Sequence, residues 1–159
     1  MKLLSILALQ SAFISVFAAP LSDECQAQEW SKLKSCHNFV LDQDGRDMAY
    51  LHAECHGFDQ KAGKWKNVAA QLDLNKCMVN VNGHLQKGGN GHFAPGCENM
   101  NVRQDTEKGA VIFTATCNGR PPYAAHDNSL DLGYFITVDN GELTCFGLRE
   151  PPCPECWEE

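Results

Sequence analysis

The chain reads as an all-β protein of two intertwined, pseudo-symmetric sequence repeats, each a short antiparallel sheet plus a β-hairpin, stapled by disulfides. Three observations predict this. The second half repeats the first in order: Cys36-His37-Asn38 returns as Cys97-Glu98-Asn99, Ala53-Glu54-Cys55 as Ala115-Thr116-Cys117, Leu72-Asp73-Leu74 as Leu130-Asp131-Leu132, and Val81-Asn82-Gly83-His84-Leu85 as Asp139-Asn140-Gly141-Glu142-Leu143. The residues before each second cysteine alternate apolar and polar. Each copy then ends on an Asn-Gly pair flanked by apolar residues. Two copies at a period near sixty suit a closed two-fold arrangement better than an open stack.

Alternation sets the strands. Ala49, Leu51, Ala53 and Cys55 fall on one side of a strand, with Tyr50, His52 and Glu54 on the other as an exposed polar face; Phe113, Ala115 and Cys117 keep the same parity in the second copy. Phe39 and Leu41 correspond to Met100 and Val102, so a short strand follows Cys36 and another follows Cys97. Pairing these strands brings each cysteine near its mate. Bridges Cys36 to Cys55 and Cys97 to Cys117 would each close a loop of about 20 residues and stabilise by roughly 3 kcal/mol. Asn82-Gly83 and Asn140-Gly141 are hairpin turns, because both residue types tolerate the positive φ of a type I′ turn. The stretches with Gly57, Gly63 and Lys64, and with Gly119, Pro121 and Pro122, are loops that absorb the length difference. Residues 86–92 form a flexible connector. Half a chain of about sixty residues has a marginal core, so each copy is expected to lend its Asn-Gly hairpin to the other.

Residues 1–18 have the pattern of a secretory signal peptide: Lys2, an apolar run, then small residues around Ala18, with Pro20 disfavouring a cut after Ala19. The run is shorter than a bilayer span, so no membrane insertion is expected. Residues 19–29 form an N-terminal extension, 30–145 the domain (repeat one 31–86, repeat two 92–145) and 146–159 an acidic, Pro- and Cys-rich appendage. Without the leader, 12 basic face 20 acidic side chains, which disfavours nucleic acid as a partner. All nine cysteines lie after the leader; in a secreted, extracellular protein they read first as disulfides, with one left over. Cys25 and Cys145 flank the repeats and could clamp their ends.

The series Cys-x-Asn, Ala-x-Cys, Gly-x-Trp (Gly63 to Trp65), Leu-Asp-Leu-Asn and Asn-Gly-x-Leu resembles the cyanovirin-N homology family over about Trp30 to Cys145. Cys77 adds the extra cysteine of secreted fungal-type members. The resemblance implies a β-rich monomer or domain-swapped dimer that binds glycans, namely mannose-rich oligosaccharides or glycoproteins, at two opposite pockets, with no catalysis, cofactor or metal. Its pocket positions carry over to Lys34, Ser35, His56, Asp139 and Asn140 in the first lobe, and to Gly91, His92, Pro95, Gly96, Gly119 and Arg120 in the second. Such a pocket needs fixed donors and acceptors for vicinal hydroxyls. Phe58 stands where the family has threonine, and Gly96 and Pro95 remove side-chain polar groups from the second pocket. On sequence, the first pocket is therefore the better equipped.

Other chemistry is weakly supported. His52, Glu54 and His56 share a strand face without a further ligand. Cys153 and Cys156 have dithiol spacing but lie in a Pro-rich tail, so a structural disulfide is the expectation. Trp65 beside a glycine loop reads as a partly buried plug rather than a sugar platform. Besides the lectin, a cysteine-rich structural or effector protein with degenerate pockets fits the sequence. An enzyme does not, since no nucleophile-base-orienter set or catalytic carboxylate pair occurs at duplicated positions.

Overall fold

A computed structural model describes residues 33–43, 45 and 47–149. The signal-peptide segment, the 19–29 extension and the tail from residue 150, with Cys25, Cys153 and Cys156, lie outside the described residues.

The first repeat forms a three-stranded antiparallel sheet of β1 (Cys36–Asp42), β2 (Tyr50–Asp59) and β3 (Lys64–Asp73), then a hairpin of β4 (Met78–Val81) and β5 (His84–Lys87). The second repeats this with β6 (Cys97–Asp105), β7 (Ala110–Cys117) and β8 (His126–Asp131), then β9 (Ile136–Asp139) and β10 (Glu142–Cys145). Cys36 lies directly opposite Cys55 and Cys97 opposite Cys117, and both pairs are disulfide-bonded. Leu51, Ala53, Cys55, Phe113, Ala115 and Cys117 all point inward and are buried, as the alternation predicts. Phe93 meets Phe113 edge to face, ring centroids 5.7 Å apart, in the middle of the core.

The repeated motifs have backbone reasons. The asparagine of Cys-x-Asn sits at positive φ (56° at Asn38, 55° at Asn99), where β1 and β6 bulge against their partners; asparagine tolerates that region better than most residues. In Leu-Asp-Leu the aspartate caps a short 3-10 turn: Asp73 accepts from Asn75 N at 3.0 Å and Asp131 from Gly133 N at 2.9 Å. Both Asn-Gly turns have positive φ at both residues, 54° and 93° at Asn82-Gly83 and 51° and 88° at Asn140-Gly141, as a type I′ turn requires.

The hairpins cross. Asn140 Oδ1 accepts from the Phe58 amide at 2.8 Å, which seats the second repeat's turn on β2 of the first. Reciprocally, Asn128 Oδ1 accepts from Leu85 N at 2.8 Å and its Nδ2 donates to Gly83 O at 2.9 Å, tying the first repeat's hairpin to β8 of the second. Each lobe is therefore one repeat's sheet closed by the other's hairpin.

Several expectations are corrected. Cys145 bonds Cys77, not Cys25, so the third bridge links the first repeat's 3-10 turn to the second repeat's hairpin. Gly57 belongs to β2 rather than to a loop; a Cβ there would lie 2.5 Å from the Asn140 carbonyl oxygen, so the crossed turn itself demands glycine. The connector is ordered: Gly88, Asn90 and His92 donate their amides to Cys77 O, Lys76 O and Asn75 O at 2.9, 3.1 and 3.2 Å. The appendage begins as structure, because β11 (Leu148–Arg149) pairs with β10. His52 is buried, unlike its neighbours on the supposed exposed face.

Candidate functional site

At the free end of the second lobe, three segments enclose a cleft of ≈ 570 Å³. The hairpin supplies Asn80 and Asn82, the ordered connector supplies Gly91, His92, Phe93 and Gly96, and the loop after β7 supplies Asn118, Gly119 and Arg120. Phe93 is a fully buried floor. Its amide-rich walls are held by mutual bonds: Asn80 Nδ2 donates to Asn118 O at 3.0 Å while its Oδ1 accepts from Gly83 N at 2.8 Å. Asn118 N donates to Gly96 O at 2.8 Å, closing the third side.

Five of the six residues assigned to the second pocket line this cleft; Pro95 does not, being exposed on the short 3-10 turn Ala94–Gly96. The glycines act by their lack of bulk. A Cβ at Gly91 would collide with Met78 O and Val79, and one at Gly119 would sit 2.5 Å from Tyr123 Cβ and 2.9 Å from Asn82 O. Gly96 leaves room for the Asn80 amide, 3.0 Å from where its Cβ would be. A planar amide from the hairpin thus occupies the space of the missing side chain. Sequence reading took Asn82 only as a turn residue and passed over Asn80 and Asn118; the Asn-Gly steps at 82–83 and 118–119 were the available signal for Asn82 and Asn118.

In the first lobe the corresponding residues are placed differently. Ser35 O accepts from His56 N at 2.8 Å, which mirrors Gly96 and Asn118. His56 is exposed and stacks on Trp65, centroids 5.4 Å apart and planes 13° apart. Asp139 is exposed at the end of β9. Asn140 accepts from Phe58 N and donates to Phe58 O at 3.4 Å, so its amide is engaged in seating the turn. Lys34 lines a separate depression with Gln104 and Thr106 to Gly109. A groove of ≈ 700 Å³ runs on the other side of the Asn140 turn, between it and β3, lined by Phe58, Asp59, Lys66, Asn67 and Glu142 among others. Lys66 Nζ lies 2.7 Å from Asp59 Oδ2 and, with the amides of Ala62 and Lys61, holds the Asp59 carboxyl down to about 2.

Trp65 is 59% exposed, so it is not a buried plug. Among the described residues no three His, Cys, Asp or Glu side chains gather as metal ligands.

The CVNH domain family model matches residues 33–144. Among solved structures the chain is similar to a designed cyanovirin-N homolog lectin named LKAMG, with 29% identity, a TM-score of 0.57, and coverage of 72% of this chain and 97% of that one. It is similar to the CVNH protein of Gibberella zeae, with 23% identity, a TM-score of 0.57 and coverage of 73% and 97%. Microvirin, solved in complex with mannobiose, aligns at 21% identity and a TM-score of 0.54, covering 70% and 94%. No curated protein sequence matches the chain. Proteins of this family are lectins and not enzymes. With the crossed hairpins, the duplicated cysteine pairs and a family match over most of its length, the chain belongs to the CVNH family.

Proposed function

We propose that this is a secreted carbohydrate-binding protein whose second-lobe cleft takes a mannose-type disaccharide end of an oligosaccharide, without catalysis. The observation that supports it most is the set of planar polar groups Asn82, Asn118 and Arg120 around an apolar floor, braced by the engaged Asn80 amide. Amides offer a donor and an acceptor side by side, and the guanidinium offers a fork of donors; vicinal hydroxyls on one pyranose present the matching pair. Each such bond adds only about 1 kcal/mol, because water satisfied the same hydroxyls before binding. A single cleft is therefore a weak site, and useful affinity comes from multivalent display. Three disulfides among the described residues fit an oxidising, extracellular setting.

This reading ranks the second lobe above the first, the reverse of what the side chains alone suggest. The engaged Asn140 amide and the bulk of Phe58 favour a largely structural turn in the first lobe, which keeps part of the degenerate-pocket alternative alive there. Titration calorimetry with mannobiose is the test. Arg120→Ala should weaken binding about tenfold at unchanged melting temperature, the loss of one charge-assisted pair. Folded wild-type protein that neither binds mannobiose nor is retained on mannan would overturn the proposal.

A further inference from the structure

The outward face of the first sheet carries an array of side chains that the cleft does not use. Antiparallel register places Phe58 opposite Trp65, His56 opposite Asn67 and Glu54 opposite His37, so all six stand on one face. They form rows two residues apart along the strands, about 6.6 Å.

The rows differ in chemistry. The end row is aromatic: Trp65 is 59% exposed and Phe58 38%, edge to face with centroids 5.5 Å apart. The indole is kept parallel to the His56 ring, so its orientation is set before anything binds. Beyond it the groups are planar and polar. His56 Nδ1 is 3.4 Å from Asn67 Oδ1, Asn67 Nδ2 is 3.5 Å from His37 Nε2, and His37 Nε2 is 3.1 Å from Glu54 Oε2. Asn38 Nδ2 donates to Glu54 Oε1 at 3.2 Å, closing the chain. No large aliphatic side chain interrupts these three rows.

We infer that this sheet face is a second carbohydrate site, distinct from the end cleft, which lays an extended oligosaccharide of equatorially linked pyranoses along the strands with one ring stacked on Trp65. The inference rests on the lectin reading above and adds a site and a ligand shape to it. A chain of equatorially linked pyranoses presents axial C–H groups on a flat face and hydroxyls at its rim. That pattern meets an aromatic plane flanked by an amide, imidazoles and a carboxylate, whereas a branched mannose cap with axial hydroxyls does not lie flat on it. The second sheet lacks the counterpart. Its β7 ends at Cys117 and its outward row there is Thr116 with Asp127, joined at 2.7 Å, with no aromatic ring.

The test is a titration of the full secreted chain with a β1,4-linked tetrasaccharide of N-acetylglucosamine and, separately, with mannobiose, read by side-chain and amide NMR shifts and by calorimetry. The tetrasaccharide should shift the Trp65 indole, Asn67 and His37 signals. Trp65→Ala should weaken it about tenfold while leaving mannobiose binding within about twofold, and Trp65→Tyr should restore most of the loss. Trp65 is exposed, so the variant should melt with the wild type, and its mannobiose binding doubles as a control for folding. Shifts confined to Asn82, Asn118 and Arg120 with Trp65→Ala unchanged would overturn this inference and leave the cleft standing. Mannobiose that fails to bind while the tetrasaccharide still shifts Trp65 would instead remove the cleft proposal alone.

Discussion

The two lobes share a backbone and fasten it differently. In the first, the Asn140–Gly141 turn is seated by one asparagine reaching across to Phe58, and the hairpin behind it is locked covalently by Cys77–Cys145. In the second, the hairpin strands themselves carry no cysteine, and the bridge touches only their base, at Cys77 just before β4. There Asn128 makes three hydrogen bonds, to Leu85 N, Gly83 O and His126 O, and His84 stacks on His126 with centroids 4.2 Å apart. The positions that correspond to the imidazole pair in the first lobe are Glu142 and Val68, and there the ≈ 700 Å³ groove lies open. Duplication conserved what the backbone demands, the αL asparagines, capping aspartates and turn glycines. It left the lobes free to diverge in how the turn is held and in what space remains beside it.

Breaking the covalent fastening should have the largest effect. Replacing both Cys77 and Cys145 by Ser opens a link between residues 68 apart, worth about 4 kcal/mol on chain-entropy grounds, against about 3 for either short-range bridge. Calorimetric melting should show the double variant falling furthest; a drop smaller than for the Cys36/Cys55 double variant would contradict the contrast. The asparagine fastenings come next. Asn128→Ala strips partners from three part-buried backbone groups and should cost about 2 kcal/mol, while Asn140→Ala, at an exposed turn with one short and one long bond, should cost about 1 kcal/mol. Urea denaturation of the two variants ranks them directly.

The smallest effect is a pH slope. Burial pushes the His52 imidazole below its ordinary value of 6.5, and Asp42, 3.9 Å away, only partly offsets this. Above pH 6.5 the ring is neutral in both states and has no effect on the balance. As pH falls below 6.5 the unfolded chain takes up the proton first, so stability declines until the lower folded pKa is reached. His52→Gln should flatten denaturation midpoints measured between pH 7 and 5; an unchanged slope would show that other groups set it.

Much of this fold was legible in the sequence because its repeated residues answer local backbone demands. Asn-Gly, Cys-x-Asn and Leu-Asp-Leu each mark a positive φ or a cap, and the alternating strands gave the buried faces at Leu51 to Cys55 and Phe113 to Cys117. The third disulfide was hidden for the converse reason. Cys77 and Cys145 have Phe135 and Lys87 as their repeat counterparts, so duplication offers no pair to match. Burial of His52 and exposure of Trp65 depend on what packs over a strand face, which alternation does not encode. The cleft was half legible: Arg120 and the glycines follow from repeat position, but Asn80 looks like any strand residue until the hairpin crosses over and aims its amide at Asn118.

Cys77 belongs to one half of the chain and Cys145 to the other, and the halves embrace through their exchanged hairpins. If two copies of this protein traded halves, the same contacts would form between molecules, and this bridge would then run from one polypeptide to the other. Oxidation at this single position therefore fixes the assembly: a chain that closes on itself first is sealed as a monomer, and a traded pair becomes covalent and can no longer come apart by dilution.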